Sequence, residues 1–199
     1  MAQKFTGWEK IPLITAKGDT VNAVAPIILS ASRSTDLPAF YAPWFAHRLE
    51  QGYSVWVNPF NRRPQYVSFA RARVIVFWSK NPRPLMQYLD LVDKHIPQYY
   101  FQFTVNDYDR EGLEPHVPPL EKRVETFKRL AERLGPHKVV WRFDPLILTP
   151  ETPLDVLLHK VRKVGDMLHN HTRRLVFSFA DIAEYKKVQN NLNRFACKK

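Results

Sequence analysis

Six places in the chain put Arg, Lys, Asp, Asn, Gln or Ser directly behind an apolar run, and chemistry would concentrate there. The clusters are Ser32-Arg33-Ser34-Thr35-Asp36, Asn58 to Arg62 with Asn58 and Asn61, Ser79-Lys80-Asn81, Gln102 with Thr104, Arg142 with Asp144, and Ser178 with Asp181. Hydroxyls, an arginine and free amides ahead of a helix, as in Ser32 to Asp36, suit a phosphate or carboxylate. Thr35 and Asp36 could equally serve only as helix caps. Arg142 and Asp144 lie two residues apart on one strand and share a side. They read either as a buried ion pair holding a pocket together or as an anion clamp beside a general base. The residues predicted to carry catalysis are Lys80, Asp144 and Asp181. The predicted ligand-binding set is Ser32, Arg33, Ser34, Thr35, Asn58, Asn61, Ser79, Asn81, Gln102, Thr104, Arg142 and Ser178.

These clusters would work together only if the apolar runs before them are parallel strands. The runs are Ala25–Ala31, Ser54–Phe60, Val74–Trp78, Tyr99–Thr104, Lys138–Phe143 and Arg174–Phe179. Continuous β-branched and aromatic character fits strands covered on both faces. Between them lie helical patterns. Leu120, Val124, Phe127, Leu130, Ala131 and Leu134 form one stripe that ends at Gly135, and Leu154, Leu157, Leu158, Val161, Val164 and Leu168 form another. Thr152, Pro153 and Asp155 read as N-cap, first helical position and capping-box carboxylate of the second. Leu85, Leu89, Val92 and Ile96 mark a further helix, and Asp36 and Pro38 begin one through Trp44, Phe45 and Leu49. Asn61–Phe69 reads as a hairpin arm and Asn106–Pro119 as a loop.

Alternating strands and helices predict an α/β fold, a (β/α) TIM-barrel-like domain with about six parallel strands and outer helices. A closed eight-unit barrel takes about 250 residues, so the expectation is an incomplete barrel. Residues 1–22 are read as an N-terminal extension and 23–199 as the partial barrel. Two open sheet edges would need covering, by the extension or by a homodimer.

Composition bounds the rest. The balance of 45% hydrophobic and 25% charged residues is globular and argues against disorder. The single cysteine, Cys197, can form neither an internal disulfide nor a cysteine-based metal site. No metal site is predicted; His169 and His171 fall in a turn with the look of a solvated loop. No apolar stretch suits a signal peptide or a membrane span, so a cytoplasmic location without membrane contact is expected. A net charge of +11 favours anionic partners, namely a small phosphate-bearing ligand or nucleic acid. The reading is an enzyme-type barrel binding an anionic or nucleotide-like ligand, its reaction unspecified, with a non-catalytic nucleic-acid-binding module as the rival.

Seven motifs in order, SASRSTDLPAFY, VNPFN, VFWSKNP, YYFQFT, LEPHVPP, WRFDPLIL and FSFADI followed by Tyr185-Lys186-Lys187, resemble the bacterial family of domain of unknown function 1848, over about Pro26 to Lys187. The resemblance implies a barrel related to the radical S-adenosylmethionine and spore-photoproduct-lyase group. In longer relatives it implies a cysteine-rich tail, with spacing such as CxxxCxxC, suited to an iron–sulfur cluster. This chain departs from that pattern, having only Cys197, so a cluster is not expected in it, and a degenerate remnant of such an enzyme becomes a further alternative.

Overall fold

The computed structural model describes residues 7–32, 35–58, 60–179 and 190. Its centre is a parallel sheet of five strands in the order β3 (Ile28–Ser30), β6 (Val74–Ser79), β7 (Gln98–Thr104), β8 (Val139–Leu146) and β9 (Leu175–Phe179). A second, mixed sheet has the order β1 (Lys10–Ile14), β2 (Thr20–Val24), β5 (Pro64–Ser68) and β4 (Tyr53–Val57). Residues before 23 thus supply β1 and most of β2, an antiparallel pair in which Leu13 faces Val21.

Alternation along the central strands sorts their side chains into two faces. Phe77, Phe101, Phe103, Trp141 and Phe143 point into a core with the helices α2 (Ala42–Gln51), α4 (Leu89–His95), α5 (Leu120–Leu134) and α6 (Leu154–Leu168). Phe77 stacks on Phe101 at 4.9 Å and meets Phe45 of α2 edge-on at 5.5 Å. Each such ring contributes about 1.5–3 kcal/mol by leaving water. The other face carries Val76, Trp78, Gln102, Thr104, Arg142 and, beyond a register shift after Phe143, a bent β8 end.

Three expectations need correction. Among the described residues the strands form two open sheets and no barrel, and the parallel sheet holds five strands instead of about six, because the run Ser54–Phe60 turns back to pair antiparallel with β5. Val55, Trp56 and Val57 are exposed, so that run was never covered on both faces. Thr152 does not cap α6; Pro153 takes the N-cap position, while Thr152 Oγ1 is buried without a partner among the described residues. The stretch from Leu85 to Ile96 splits into α3 (Arg83–Met86) and α4, and the helix expected from Asp36 splits into α1 (Leu37–Phe40) and α2. In the second case Tyr41 leaves helical geometry just before Pro43, which cannot donate a backbone hydrogen bond to the preceding turn. Asp36 does cap α1, accepting from the Ala39 amide at 3.1 Å.

The sheet is tied to α4 and α5 by a small polar knot. Tyr99 Oη donates to Asp93 Oδ1 at 2.7 Å, and Arg133 reaches both Asp93 and Asp90. Burial alone would raise the Asp93 carboxyl, but the Tyr99 hydroxyl and the Arg133 guanidinium together hold it below the usual range. Burial and the same carboxylate push the Tyr99 phenol far up. A lowered carboxyl contributes stability above its unfolded value of about 3.9, and that contribution is lost as pH falls through the folded value. Tyr99→Phe is therefore expected to cost about 0.5–1.5 kcal/mol at neutral pH, near the low end because Asp93 is half exposed. Urea midpoints should show this deficit shrinking at acid pH; an equal loss at both pH values would remove Asp93 from the explanation.

Candidate functional site

At the carboxyl ends of β6 to β9 the second face of the sheet becomes polar. Trp78 sits opposite Gln102 across β6 and β7, and Thr104 opposite Arg142 across β7 and β8. Arg142 lies with its guanidinium 4.6 Å from the Trp78 ring centroid and donates to Gln102 Oε1 at 3.1 Å. It also grips Asp144 Oδ2 through Nε, at 3.0 Å, and through a closer contact from Nη2. Ser178 Oγ donates to the other carboxylate oxygen of Asp144. A strand from each of four neighbouring positions thus contributes one or two members to a single connected set.

A second set adjoins it. Lys80 Nζ donates to Glu114 Oε1, and Arg123 reaches Glu114 Oε2 at 3.3 Å as well as Asp109. Lys80 keeps 41% of its side chain exposed, whereas Glu114 keeps 6% and Arg123 only 1%. Asn106 joins the two sets: its Nδ2 donates to Glu114 Oε1 at 3.0 Å and to the Asp144 carbonyl at 3.2 Å, while its Oδ1 accepts from the Asp144 amide at 2.9 Å. The loop from Val105 to Pro119 therefore carries a working part of the rim. It is held from outside by Lys160, whose buried ammonium donates to the Asp107 carbonyl at 2.8 Å, and anchored by its own Tyr108, which donates to the Pro145 carbonyl at 2.9 Å. Burial pushes the Tyr108 phenol up to about 12, so it stays a hydroxyl donor across the working pH range.

Of the sequence-predicted residues, Lys80, Gln102, Thr104, Arg142, Asp144 and Ser178 lie together at this rim. Ser79 and Asn81 lie beside it but serve the turn, the Ser79 hydroxyl accepting the Asn81 amide at 2.9 Å. The Lys80 amide is held by Asp36 at 2.7 Å, and the Ser32 hydroxyl accepts the Trp78 amide at 3.3 Å. Ser32 and Thr35 line a different space, an apolar cavity of about 500 Å³ between β3 and the β4–β5 pair, walled by Trp44, Trp56 and Phe69. Asn58 and Asn61 are not at the strand ends of the parallel sheet. They hold the β4–β5 turn, accepting the Phe60 and Arg63 amides at 2.9 and 3.0 Å. Arg33, Ser34 and Asp181 lie outside the described residues.

Glu114, Asn106 and Arg123 are the members that the sequence reading passed over as site residues. Arg123 had a signal: it falls three residues after Leu120, inside the apolar stripe of α5, where an arginine must find buried carboxylates. Glu114 had a weaker one, as the acid within LEPHVPP.

Residues 28–199 match the family described as a domain of unknown function, DUF1848. The chain belongs to this family. No curated protein and no solved structure matches it. The family match spans all five parallel strands and both halves of the rim, whereas β1 and β2 precede it.

The iron–sulfur cluster implied by the resemblance does not fit the residues present. Cys197 is the one thiol in the sequence, and among the described residues no group of three His, Cys, Asp or Glu side chains could hold a metal ion. Also among the described residues, no helix is long and apolar enough to cross a membrane.

Chemically, the rim offers two charge-paired units instead of a bare cationic pocket. Lys80 and Glu114 form an amine–carboxylate pair whose cation reaches solvent, so it can meet an anion or pass a proton. Arg142 and Asp144 form a clamp with two features that a flat, polar ligand could use, an exposed indole at Trp78 and a hydroxyl at Ser178.

Proposed function

We propose that the carboxyl-end rim binds a small anionic, nucleotide-like ligand, as an enzyme-type α/β domain would. The observation that carries this reading is the stacking of Arg142 on the half-exposed Trp78, with Gln102, Asp144 and Ser178 around it. A planar ring can extend that stack, and a planar guanidinium held on one side still has donors for phosphate or carboxylate. Lys80 supplies the second cation at the solvent edge. The Lys80–Glu114 pair is the unit able to transfer a proton, and Asp144 fixes Arg142 and Ser178 for binding. Ligand-binding ends of parallel strands are the usual location for such work.

Thermal unfolding with nucleotides, S-adenosylmethionine and small carboxylates, read beside tryptophan fluorescence, tests the proposal. A ligand at one hundred times its dissociation constant adds about 2.7 kcal/mol, or roughly 5–10 °C for a domain of this size. Arg142→Ala should abolish that shift, and Trp78→Phe should abolish the accompanying fluorescence change. A ligand set that leaves both readouts flat, or binding untouched by Arg142→Ala, refutes the reading. Affinity that instead falls steeply with salt for any nucleic acid, independent of Arg142, would favour a nucleic-acid-binding module.

A further inference from the structure

We propose that the opposite, amino-terminal end of the parallel sheet holds a second anion site, one that takes a chain of phosphates. A cleft of about 490 Å³ opens there between the starts of β6, β7 and β8 and the approach to β9. Its lining includes Lys138, Arg173, Arg174 and His137, and contains no Asp or Glu. The acids nearby are engaged elsewhere: Asp90 and Asp93 both bind Arg133. Lys138 lies over the Tyr99 ring at 5.6 Å and helps to lower the Asp93 carboxyl through its charge, but among the described residues it forms no ion pair. Among the described residues, Arg173, Arg174 and His137 enter no ion pair with a carboxylate.

Like charges gathered in a concave site repel one another, and a bound anion removes that cost. One phosphate would occupy a small part of a cleft whose volume falls within the ~300–1,000 Å³ range of small-molecule pockets. Three cations, Lys138, Arg173 and Arg174, with a histidine beside them, match the two to four charges of a polyphosphate or of consecutive phosphodiesters. Both sources present the same non-bridging oxygens, which arginine grips in pairs. Along β7, the four residues from Gln98 to Gln102 put the outer end of this cleft about 13 Å from the rim, and no residue lines both. The two sites are therefore separate, and this inference does not rest on the function proposed for the rim.

Calorimetric titration with sodium tripolyphosphate, and anisotropy of a short fluorescent single-stranded oligonucleotide, test it on the full chain. Tripolyphosphate is expected to bind, and the Arg173→Gln/Arg174→Gln variant to bind roughly tenfold or more weakly, since each lost charged hydrogen bond is worth about 1.5–3 kcal/mol. Lys122→Gln/Arg129→Gln on α5, equal in charge removed, should bind as the parent does. If the oligonucleotide also binds and tripolyphosphate displaces it, the phosphates come from nucleic acid; if tripolyphosphate alone binds, they come from a free polyphosphate. No binding of either probe, or equal weakening by the α5 control, overturns the proposal. Intact circular dichroism of both double variants guards against a folding defect.

Discussion

Arg123→Ala should lower the unfolding free energy by about 3–5 kcal/mol, the usual cost of stranding a buried charge by removing its partner. Arg123 has 1% of its side chain exposed, so it cannot exchange its carboxylates for water. It donates to the Asn106 carbonyl at 3.0 Å and meets both Asp109 and Glu114. Among the described residues, Glu114, itself almost fully buried, would keep Lys80 and Asn106 as its hydrogen-bond partners. Asp109 would be left with the Leu120 amide, which it caps at 2.8 Å where α5 begins. One substitution therefore loosens the start of α5, the loop before it and the rim together. Urea denaturation should report the loss, and hydrogen exchange should show the amides of Val105 to Pro119 opening first. Replacement by methionine tests the cause: it restores apolar volume but no charge, so a methionine variant nearly as unstable as the alanine one identifies the stranded carboxylates. A methionine variant as stable as the parent would mean that Arg123 acts through packing alone.

That cluster also marks the limit of what the sequence could convey. Convergence at the strand ends was legible because Lys80, Gln102, Arg142 and Ser178 each follow an uninterrupted apolar run, and parallel strands bring such positions to one edge. The bounds of α5 and α6 were legible for the same reason, through long stripes at helical spacing. Asn58 and Asn61 were assigned to that edge because their run, SVWVN, is as apolar as the others. Direction of pairing, however, is decided by the connection at the end of the run. Asn58 to Arg63 makes a tight turn with Arg62 at φ 55°, so the chain returns beside itself before it can cross over a helix. An incomplete barrel of about six strands is likewise an expectation from alternation alone, which specifies layers but not how many strands the sheet holds or whether it curves toward closure. The link between Glu114, Asn106 and Arg123 could not be read from spacing at all. It arises from a loop that folds over the strand ends, and loop conformation leaves little periodic trace.

The strongest pH-dependent effect should come from Asn106→Asp. Asn106 is 1% exposed and uses its amide nitrogen to donate to Glu114 and its oxygen to accept from the Asp144 backbone. A carboxylate in its place keeps the acceptor but turns the donor into a second negative oxygen against Glu114. Desolvation and that neighbour both disfavour the charged form, so the new carboxyl must titrate above an ordinary aspartate when the protein is folded. A group whose folded value is raised binds its proton more tightly in the native state. Its penalty is then absent below the unfolded value of about 3.9 and grows as pH rises toward the folded value. The variant should thus lie close to the parent at pH 4 and fall behind it by about 3–4 kcal/mol at pH 8, the scale of a two- to three-unit shift. Asn106→Leu, which lacks the titrating group, should instead show a deficit that varies little with pH. The rim should respond in parallel, because Asn106 is what holds the Lys80–Glu114 pair against the Asp144 backbone: any ligand bound through Arg142 should weaken in Asn106→Asp as pH rises. Parallel pH–stability curves for parent and Asn106→Asp would falsify the assignment of Asn106 as the junction between the two halves of the rim.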